Sequence, residues 1–266
     1  SDEDYERLGE RVQAQFVAHG AFDGDVCFMR KDGSPVWARV QGRGVRAHDT
    51  AGGTVWILED LTAAREAQQQ QDWAAIHDPL TQLCNREAFV QRMGVLLAER
   101  SARARTPGVE AVDAAEGEGD GVMLFLDLDH FTVVNDLAGH DAGDDVLRHV
   151  ARLLESHVRQ IGWAARLGGD EFAVVLPGCS LARGQALAEQ LRAAVQAWEP
   201  SYQGRSFTLG VSIGLVVLDA SLQDVPSVLY AADMACYDAK RAGRNRVETR
   251  HADQAAASGR MALGPV

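Results

Sequence analysis

Between residues 78 and 249, apolar runs that suit strands alternate with amphipathic segments that suit helices, and few folds satisfy such an alternation. The spacing of apolar side chains predicts helices over 86–99, 142–158, 181–198 and 225–242. Short apolar runs predict strands over 122–128, 163–167, 171–176 and 207–217. Gly168 and Gly169 separate two of these strands, which predicts a hairpin. This part of the chain is therefore predicted to be α+β, with a central sheet flanked by helices.

The first 77 residues have a different pattern. Apolar side chains at helical spacing predict a helix over 1–20. Short strands are predicted over 26–29, 36–40 and 54–58, with Asp-Gly and Gly-Gly turns between them. Residues 60–77 lack Gly and Pro, which favours a continuous helix. Its heptad pattern is poor, so we expect a connecting helix rather than a strong coiled coil.

The charge balance disfavours two classes of partner. Asp and Glu number 38 against 26 Lys and Arg, which gives a formal net charge of −12. A general nucleic-acid binder or a polybasic membrane-surface protein would carry a basic surface instead. The longest apolar stretch, 209–218, is well short of the ~20 residues that span a bilayer. We expect no nucleic-acid partner, no direct membrane contact and a cytoplasmic location, although a longer parent protein could carry a membrane anchor.

Two carboxylates end the first predicted strand of the α+β region. Asp127 and Asp129 are two positions apart, so they share a face of the strand. They repel one another unless a cation or hydrogen bonds compensate, although a strand that runs into a polar turn has the same pattern. If the predicted hairpin lies beside this strand, Asp170 meets Asp127. Carboxylates from adjacent strands would then form an oxygen site suited to Mg²⁺.

Two further clusters have alternative interpretations. Lys240 and Arg244 lie four residues apart at the end of the last predicted helix, where they suit either helix capping or a triphosphate. A polar loop is predicted from Asn135 to Asp144 at the opening of another helix, and such residues are usually caps. A carboxylate there could instead accept hydrogen bonds from the two adjacent N–H donors of guanine, which adenine lacks.

Residues 77–249 resemble the GGDEF domain of the diguanylate cyclase family. The motifs that carry this resemblance occur in order over about two-thirds of the chain, each on the expected element. They are His77-Asp78-Pro79-Leu80-Thr81 with Asn85-Arg86, Asp127-Leu128-Asp129 with Phe131, Asn135-Asp136, Gly139-His140, Gly143-Asp144, Gly168-Gly169-Asp170-Glu171-Phe172, and Tyr237 with Lys240 and Gly243-Arg244-Asn245. The resemblance implies a nucleotide-cyclase or palm-like central sheet.

This resemblance implies a reaction in which two GTP molecules become cyclic di-GMP and two pyrophosphates. Each domain would bind one GTP, and two domains would meet face to face, so a homodimer is expected for turnover. The implied cofactor is Mg²⁺, with Mn²⁺ as an alternative. Phosphoryl transfer needs in-line positioning and neutralised charge more than covalent chemistry from the protein, which agrees with the residue types present.

The resemblance also implies a role for each matched residue. Asp127, Asp170 and the backbone carbonyl of Leu128 would hold the metal, and Glu171 would be a metal ligand or general base. Asp170 and Glu171 are the expected catalytic residues. The expected substrate-binding residues are Asn135 and Asp144 for guanine, and Lys240, Arg244, Phe131, Thr132, Gly168 and Gly169 for the phosphates.

The chain departs from the family pattern at three places. Thr132 stands where the family usually has a Lys that touches phosphate, which predicts weaker GTP binding. Gln82 replaces the usual Gly, for which we expect a local adjustment only. The family's inhibitory product site is an RxxD motif, of which Arg159 is a remnant because Gly162 has no carboxylate. Product feedback is therefore doubtful, and Arg159 suits a solvated helix-end charge equally well.

Residues 16–62 resemble the C-terminal part of a PAS sensory domain. The resemblance rests on Arg30-Lys31-Asp32-Gly33 with Trp37, on residues 53–56, and on Glu59-Asp60-Leu61-Thr62. Because this part is incomplete, we expect no haem or flavin in it. The expected organisation is a partial PAS domain over 1–61, a connecting signalling helix over 62–77, a GGDEF domain over 78–249, and a flexible tail or linker over 250–266.

These observations predict a diguanylate cyclase that is regulated through its PAS side. The alternative is a catalytically weak domain that acts as a GTP-binding sensor or docking module in a larger signalling protein. Thr132 and Gly162 favour that alternative slightly, whereas the intact signature together with Asp127 and Asp144 favours the enzyme. A third interpretation is the cyclase half of a longer protein, in which a phosphodiesterase domain follows the tail.

Overall fold

The computed structural model describes residues 2–46, 49–104 and 119–250, and the chain divides into two units, residues 1–73 and 74–266. Residues 105–118 and all of the predicted tail after Arg250 lie outside these ranges. In the part of the chain that is described, no helix combines the length and apolarity that a membrane span requires.

The first unit is a three-stranded antiparallel sheet with a helix on one face. Helix α1 (Asp2–His19) precedes strands β1 (Ala21–Met29), β2 (Pro35–Arg46) and β3 (Asp49–Asp60), which pair in the order β1-β2-β3. Leu8, Val12 and Phe16 of α1 pack on a small buried cluster made of Phe22, Val26, Ala38 and Val40. The strands are longer than the apolar runs that predicted them because the ladder continues through polar residues.

Helix α2 (Thr62–Ala74) is shorter than the connecting helix predicted over 62–77. The side-chain amide of Asn85 donates hydrogen bonds to the carbonyl oxygens of Ala74 and Ala75, and its backbone N–H donates to Ile76. These carbonyls are satisfied without another helical turn, so the helix ends before residue 77. No side chain of α2 is buried.

The second unit is an α+β domain, which confirms the predicted fold class. Its elements are α3 (Arg86–Ala104), β4 (Val122–Asp129), α4 (Phe131–Ala138), α5 (His140–Val158), β5 (Trp163–Gly168), β6 (Glu171–Leu176), α6 (Leu181–Ala197), β7 (Ser201–Tyr202), β8 (Arg205–Ser206), β9 (Gly210–Val217), α7 (Val225–Arg241) and β10 (Val247–Arg250). The central sheet has the order β10-β9-β4-β6-β5. β10 is parallel to β9, and the other neighbours are antiparallel.

The last long strand starts later than its apolar run predicts. β9 begins at Gly210, three residues after the predicted start at Phe207. Phe207 and Leu209 are nevertheless buried, because they pack into the core from an irregular segment. Burial of an apolar run therefore did not require strand geometry at its first residues.

Strand β4 is buried on both faces, which explains its unbroken apolar run. Val122, Leu124 and Leu126 belong to the cluster that α5 and α6 cover. Met123 and Phe125 belong to the cluster that α3 and α7 cover. The strand turns polar only at its carboxyl end, where the predicted site residues begin.

Candidate active site

The hairpin between β5 and β6 lies beside the carboxyl end of β4. In this register Asp127 is directly opposite Glu171. The backbone N–H of Leu128 donates to the carbonyl oxygen of Asp170 over 3.4 Å. The antiparallel pairing of β4 with β6 therefore brings together the carboxylate residues that the sequence placed more than 40 positions apart.

The turn of this hairpin depends on glycine for its backbone conformation. Gly168 has φ 150° and Gly169 has φ 51°, both in the region that side chains disfavour. A Cβ atom at either position would meet nothing within 4 Å. The backbone of the turn is therefore open on the side where a side chain would stand, as close approach of a phosphate requires.

Arg166 fixes the turn to a distant part of the chain. Its guanidinium donates to the carbonyl oxygen of Gly169 over 2.8 Å and 3.0 Å. The same group donates to both carboxylate oxygens of Asp78, at 3.1 Å and 3.2 Å. Asp78 also accepts from the backbone N–H and the hydroxyl of Thr81. Sequence reasoning quoted both motifs but missed this clamp, because the pair is 88 residues apart and no local signal connects it.

The carboxylates at the end of β4 repel one another, and the pKa values of Asp127 and Glu171 are raised. Burial raises the pKa of Asp127, and the charges of Asp170 and Asp129 raise it further. Lys240 acts in the opposite direction, with its Nζ 2.6 Å from Oδ2 of Asp127. Burial also raises the pKa of Glu171, and the charge of Asp127 adds to that effect. The cluster therefore contains more negative charge than its one paired ammonium neutralises.

Asp129 has a different task from Asp127, although both lie on one face of the strand. It is buried, and it accepts hydrogen bonds from the hydroxyl of Ser212 and the backbone N–H of Asn245, each over 2.8 Å. Gly243, Arg244 and Asn245 have consecutive positive φ values of 115°, 60° and 47°. Asp129 thus holds a strained loop that carries the predicted phosphate ligand Arg244.

Helix α4 begins directly after β4 and presents its N-terminus at the same place. His130, which precedes the helix, has a left-handed conformation and makes no side-chain capping bond. Phe131 is buried, whereas Thr132 is exposed in the first turn. An uncapped helix N-terminus favours anions, which agrees with the phosphate contacts predicted here.

The two predicted guanine ligands lie where α4 meets α5. Asn135 belongs to α4 and Asp144 to the first turns of α5, so the loop predicted over 135–144 is wrong and only Gly139 separates the two helices. A Cβ at Gly143 would collide with Oδ1 of Asn135, so this glycine allows the close contact. Asp144 is half-exposed and lies 3.7 Å from the guanidinium of Arg148. The structure therefore brings these two ligands to neighbouring positions.

Arg159 lies apart from the other predicted residues. It follows the end of α5, about 22 Å along the helix from Asp144. There it lines a pocket of about 500 Å³ together with Arg92, whose guanidinium stacks 4.1 Å from the ring centre of Trp163. A Cβ at Gly162 would collide with the backbone oxygen of Val175. The backbone at position 162 is thus packed against β6 and has no room for the carboxylate that an RxxD motif carries.

The residues at the end of β4 fit a hard divalent cation in kind. Carboxylate and carbonyl oxygens are the ligands that Mg²⁺ prefers, and the raised pKa of Asp127 indicates that a cation would stabilise this cluster. Within residues 2–46, 49–104 and 119–250, however, no three His, Cys, Asp or Glu side chains are already placed as a metal-binding group. Lys240 instead pairs with Asp127, the carboxylate expected to bind the metal.

Comparison with known proteins agrees with this arrangement. The sequence model of the family described as "Diguanylate cyclase, GGDEF domain" matches residues 75–246. The chain is 36% identical over 205 residues to the probable diguanylate cyclase DgcE of Escherichia coli, which covers 77% of this chain and 17% of that protein. It is 38% identical over 190 residues to the diguanylate cyclase DgcP of Pseudomonas aeruginosa, covering 71% of this chain and 26% of that protein.

Solved structures show the same fold. The crystal structure of the coiled coil and GGDEF domain of DgcB from Caulobacter crescentus, in complex with c-di-GMP, superimposes with a TM-score of 0.61. The identity is 29%, and the match covers 71% of this chain and 93% of that one. The chain thus spans about a sixth to a quarter of the curated relatives and nearly all of this solved domain. Because the family match covers well over half of its length, the chain belongs to the GGDEF-domain diguanylate cyclase family.

Proposed function

We propose that this chain is a diguanylate cyclase that condenses two GTP molecules into cyclic di-GMP and two pyrophosphates. The observation that supports this most directly is the register of β4 and β6, which sets Asp127 opposite Glu171 beside an open glycine turn. The helix N-terminus at Phe131 and the loop that carries Arg244 lie on the segments that follow β4 and α7. The acidic residues and the groups that we propose to bind phosphate are thus near the same end of the sheet, which supports this function.

In the proposed reaction, the 3′-oxygen of one GTP forms a bond to the α-phosphorus of the other. The bond from that phosphorus to its leaving oxygen breaks, and pyrophosphate leaves with the electron pair. Glu171 accepts the 3′-hydroxyl proton, a role that its raised pKa supports. The same exchange in the opposite direction closes the ring.

The chain's own residues position the substrate in this proposal. Asn135 and Asp144 bind the guanine edge, while Lys240 and Arg244 neutralise the β- and γ-phosphates. The backbone N–H groups at Phe131 and Thr132 and the turn at 168–169 approach the phosphates closely. Asp127, Asp170, Glu171 and the carbonyl of Leu128 would hold Mg²⁺ or Mn²⁺, which would neutralise charge on the transferred phosphoryl group.

We also propose a homodimer and a regulatory role for the first unit. One site binds one GTP, which is half of the product, so two copies must face each other. We propose that residues 1–61 are the C-terminal part of a PAS domain and that the helix after it carries the signal. Thr62 accepts a hydrogen bond from the backbone N–H of Trp37, and Arg65 pairs with Asp25 over 2.7 Å, so the first turn of α2 is fastened to the sheet.

A GTP-binding sensor without turnover is the second candidate. The observation that favours it is Thr132, an exposed residue without charge at the N-terminus of α4, where the family usually has a Lys. A weaker hold on the phosphates would still permit GTP binding through the guanine ligands.

Product analysis separates the two candidates. The full chain at several concentrations is incubated with GTP and Mg²⁺, and cyclic di-GMP and pyrophosphate are quantified by chromatography. A cyclase that needs two copies gives a rate that rises more than linearly with protein concentration. We expect Asp170→Asn and Glu171→Gln to lower turnover by about 10²–10³-fold, with unchanged circular dichroism. Absence of product together with calorimetric GTP binding would establish the sensor instead.

A further inference from the structure

We propose that Lys240 and a divalent cation compete for Asp127, and that Lys240 leaves this carboxylate for the triphosphate when nucleotide and metal bind. The inference deepens the proposed function, because it concerns how the same site is loaded. It assigns Lys240 two successive partners rather than one. The consequence is that metal binding and nucleotide binding favour one another.

The packing of α7 on the sheet fixes the position of Lys240. Helix α7 packs so closely on β9 that a Cβ at Gly214 would collide with the backbone oxygen of Ala232. The thiol of Cys236, one turn before Lys240, donates to the carbonyl oxygen of Ser212 on β9 over 3.2 Å. α7 is thus fixed against the sheet, and its last turn holds the ammonium at the end of the neighbouring strand β4.

Lys240 is in direct contact with Asp127. Nζ of Lys240 is 2.6 Å from Oδ2 of Asp127, and 13% of the Asp127 side chain is exposed against 35% for Lys240. Mg²⁺ binds oxygen at about 2.0–2.1 Å. An ammonium in hydrogen-bond contact with the same oxygen blocks that approach and repels a second cation. The ammonium occupies Oδ2 of Asp127 and its charge opposes a cation at either oxygen, so Lys240 and a metal ion disfavour one another at this carboxylate.

A bound triphosphate would offer Lys240 an alternative partner. Arg244 lies four residues further on, and its loop is held to the end of β4 by Asp129. A triphosphate that Arg244 contacts would bring several charged oxygens to the same end of α7. Because Lys240 is more exposed than Asp127, it is the member of the pair that can turn away. Its release would free Asp127 for the metal, and linkage makes this coupling reciprocal.

The competition predicts a change in metal affinity without any nucleotide. Mn²⁺ is titrated into the full chain, and the free ion is measured by electron paramagnetic resonance. We expect Lys240→Gln to bind Mn²⁺ about tenfold more tightly than the wild type, because the competing ammonium is gone. The matched control is Arg241→Gln, which removes the same charge one residue later from an exposed side chain and should change the Kd less than twofold. Lys240→Met serves as a second variant if Lys240→Gln melts early.

A second titration measures the affinity for GTP in the absence of metal. Calorimetric titration of GTP in the presence of EDTA is expected to show binding several-fold tighter for Asp127→Asn than for the wild type, because Lys240 is then free for the phosphates. The double variant Asp127→Asn/Lys240→Gln should lose that gain. Equal Mn²⁺ affinity in wild type and Lys240→Gln, or unchanged GTP affinity in Asp127→Asn, would overturn the proposal.

These titrations are independent of turnover. If both arms succeed while the product assay finds no cyclic di-GMP, the proposed function fails and the competition stands. If turnover is found while both variants bind like the wild type, the function stands and the competition fails.

Discussion

At the scale of single residues, position within one short motif does not decide the task of a side chain. Asp127 and Asp129 share a face of β4, yet one pairs with Lys240 and the other accepts from Ser212 and Asn245. The difference follows from what lies opposite each carboxylate. β9 and the loop after α7 surround Asp129 with hydrogen-bond donors, whereas Asp127 faces Lys240 and the other acids.

Replacing Asp129 tests its structural role. Asp129→Ala leaves one buried and one partly buried donor without an acceptor, so we expect a loss of about 2–4 kcal/mol in the free energy of unfolding, measured by urea denaturation. Asp136→Ala, which removes an exposed carboxylate from α4, should stay within about 0.5 kcal/mol of the wild type. A loss below about 1 kcal/mol for Asp129→Ala would show that the strained loop does not depend on this carboxylate.

At the scale of elements, a contact with another segment of the chain fixes the hairpin of the candidate active site. A Cβ at Gly168 or Gly169 would meet nothing within 4 Å, and Arg166 connects the carbonyl oxygen of Gly169 to Asp78 in the segment before α3. This clamp replaces the side-chain packing that the glycines cannot provide. The orientation of the turn is therefore expected to depend on Asp78, whose contact with Arg166 no local sequence signal indicates.

Asp78→Asn is expected to lower turnover by about 10–100-fold, because Arg166 loses its charged partner and the turn shifts. The measurement is the rate of cyclic di-GMP formation at saturating GTP. A variant with wild-type turnover and an unchanged fold would show that the turn holds its orientation without the clamp.

Asp78→Asn is also expected to change how the free energy of unfolding depends on pH. Burial alone would raise the pKa of Asp78, but hydrogen bonds from Thr81 and Arg166 hold it below its usual value. A lowered folded-state pKa adds stability that is complete above the unfolded pKa and disappears as the pH falls through the folded pKa. Urea denaturation between about pH 5 and 3 should therefore show a steeper loss for the wild type than for Asp78→Asn. Parallel curves would contradict this account.

The turn between α5 and β5 sets a second constraint. We expect Gly162→Asp to destabilise the second unit by about 2–4 kcal/mol, because its Cβ collides with the backbone of β6. The variant should also gain no inhibition by cyclic di-GMP, although it restores the RxxD pattern with Arg159. Gly94→Ala in α3 is the control, since its Cβ would lie 3.9 Å from the nearest atom and should be neutral or slightly stabilising.

At the scale of the whole molecule, the two units have very different cores. The second unit buries two large clusters, one on each face of its sheet. Among the side chains of the first unit whose burial the structure describes, the buried apolar ones are Phe22, Val26, Ala38 and Val40, while Ile57 and Leu58 are about 60% exposed. Apolar burial supplies most of the stability of a fold, so the first unit should be the weaker of the two.

Hydrogen exchange measures this difference directly. Peptides from β1, β2 and β3 should exchange through openings of lower free energy than peptides from β4 and β9, which lie in the middle of the larger sheet. Mass spectrometry of the intact chain separates the two groups, and thermal melts followed through the tryptophans of each unit offer a second readout. Equal protection of both groups would show that the small core is sufficient.

The order of the longer helices and strands, the hairpin at Gly168 and Gly169 and the fold class could be predicted, because they rest on periodicity and turn chemistry within a few residues. Helix α4 and the short strands β7, β8 and β10 could not be predicted, since each spans eight residues or fewer. The end of α2, the start of β9 and the partners of the carboxylates could not. Asp78 meets Arg166 across 88 positions and Asp129 meets Asn245 across 116, and only the order of strands in the sheet decides such pairs. The residue types of the candidate site can thus be read along the chain, whereas the contact of Lys240 with Asp127 exists only because α7 is packed over the end of β4.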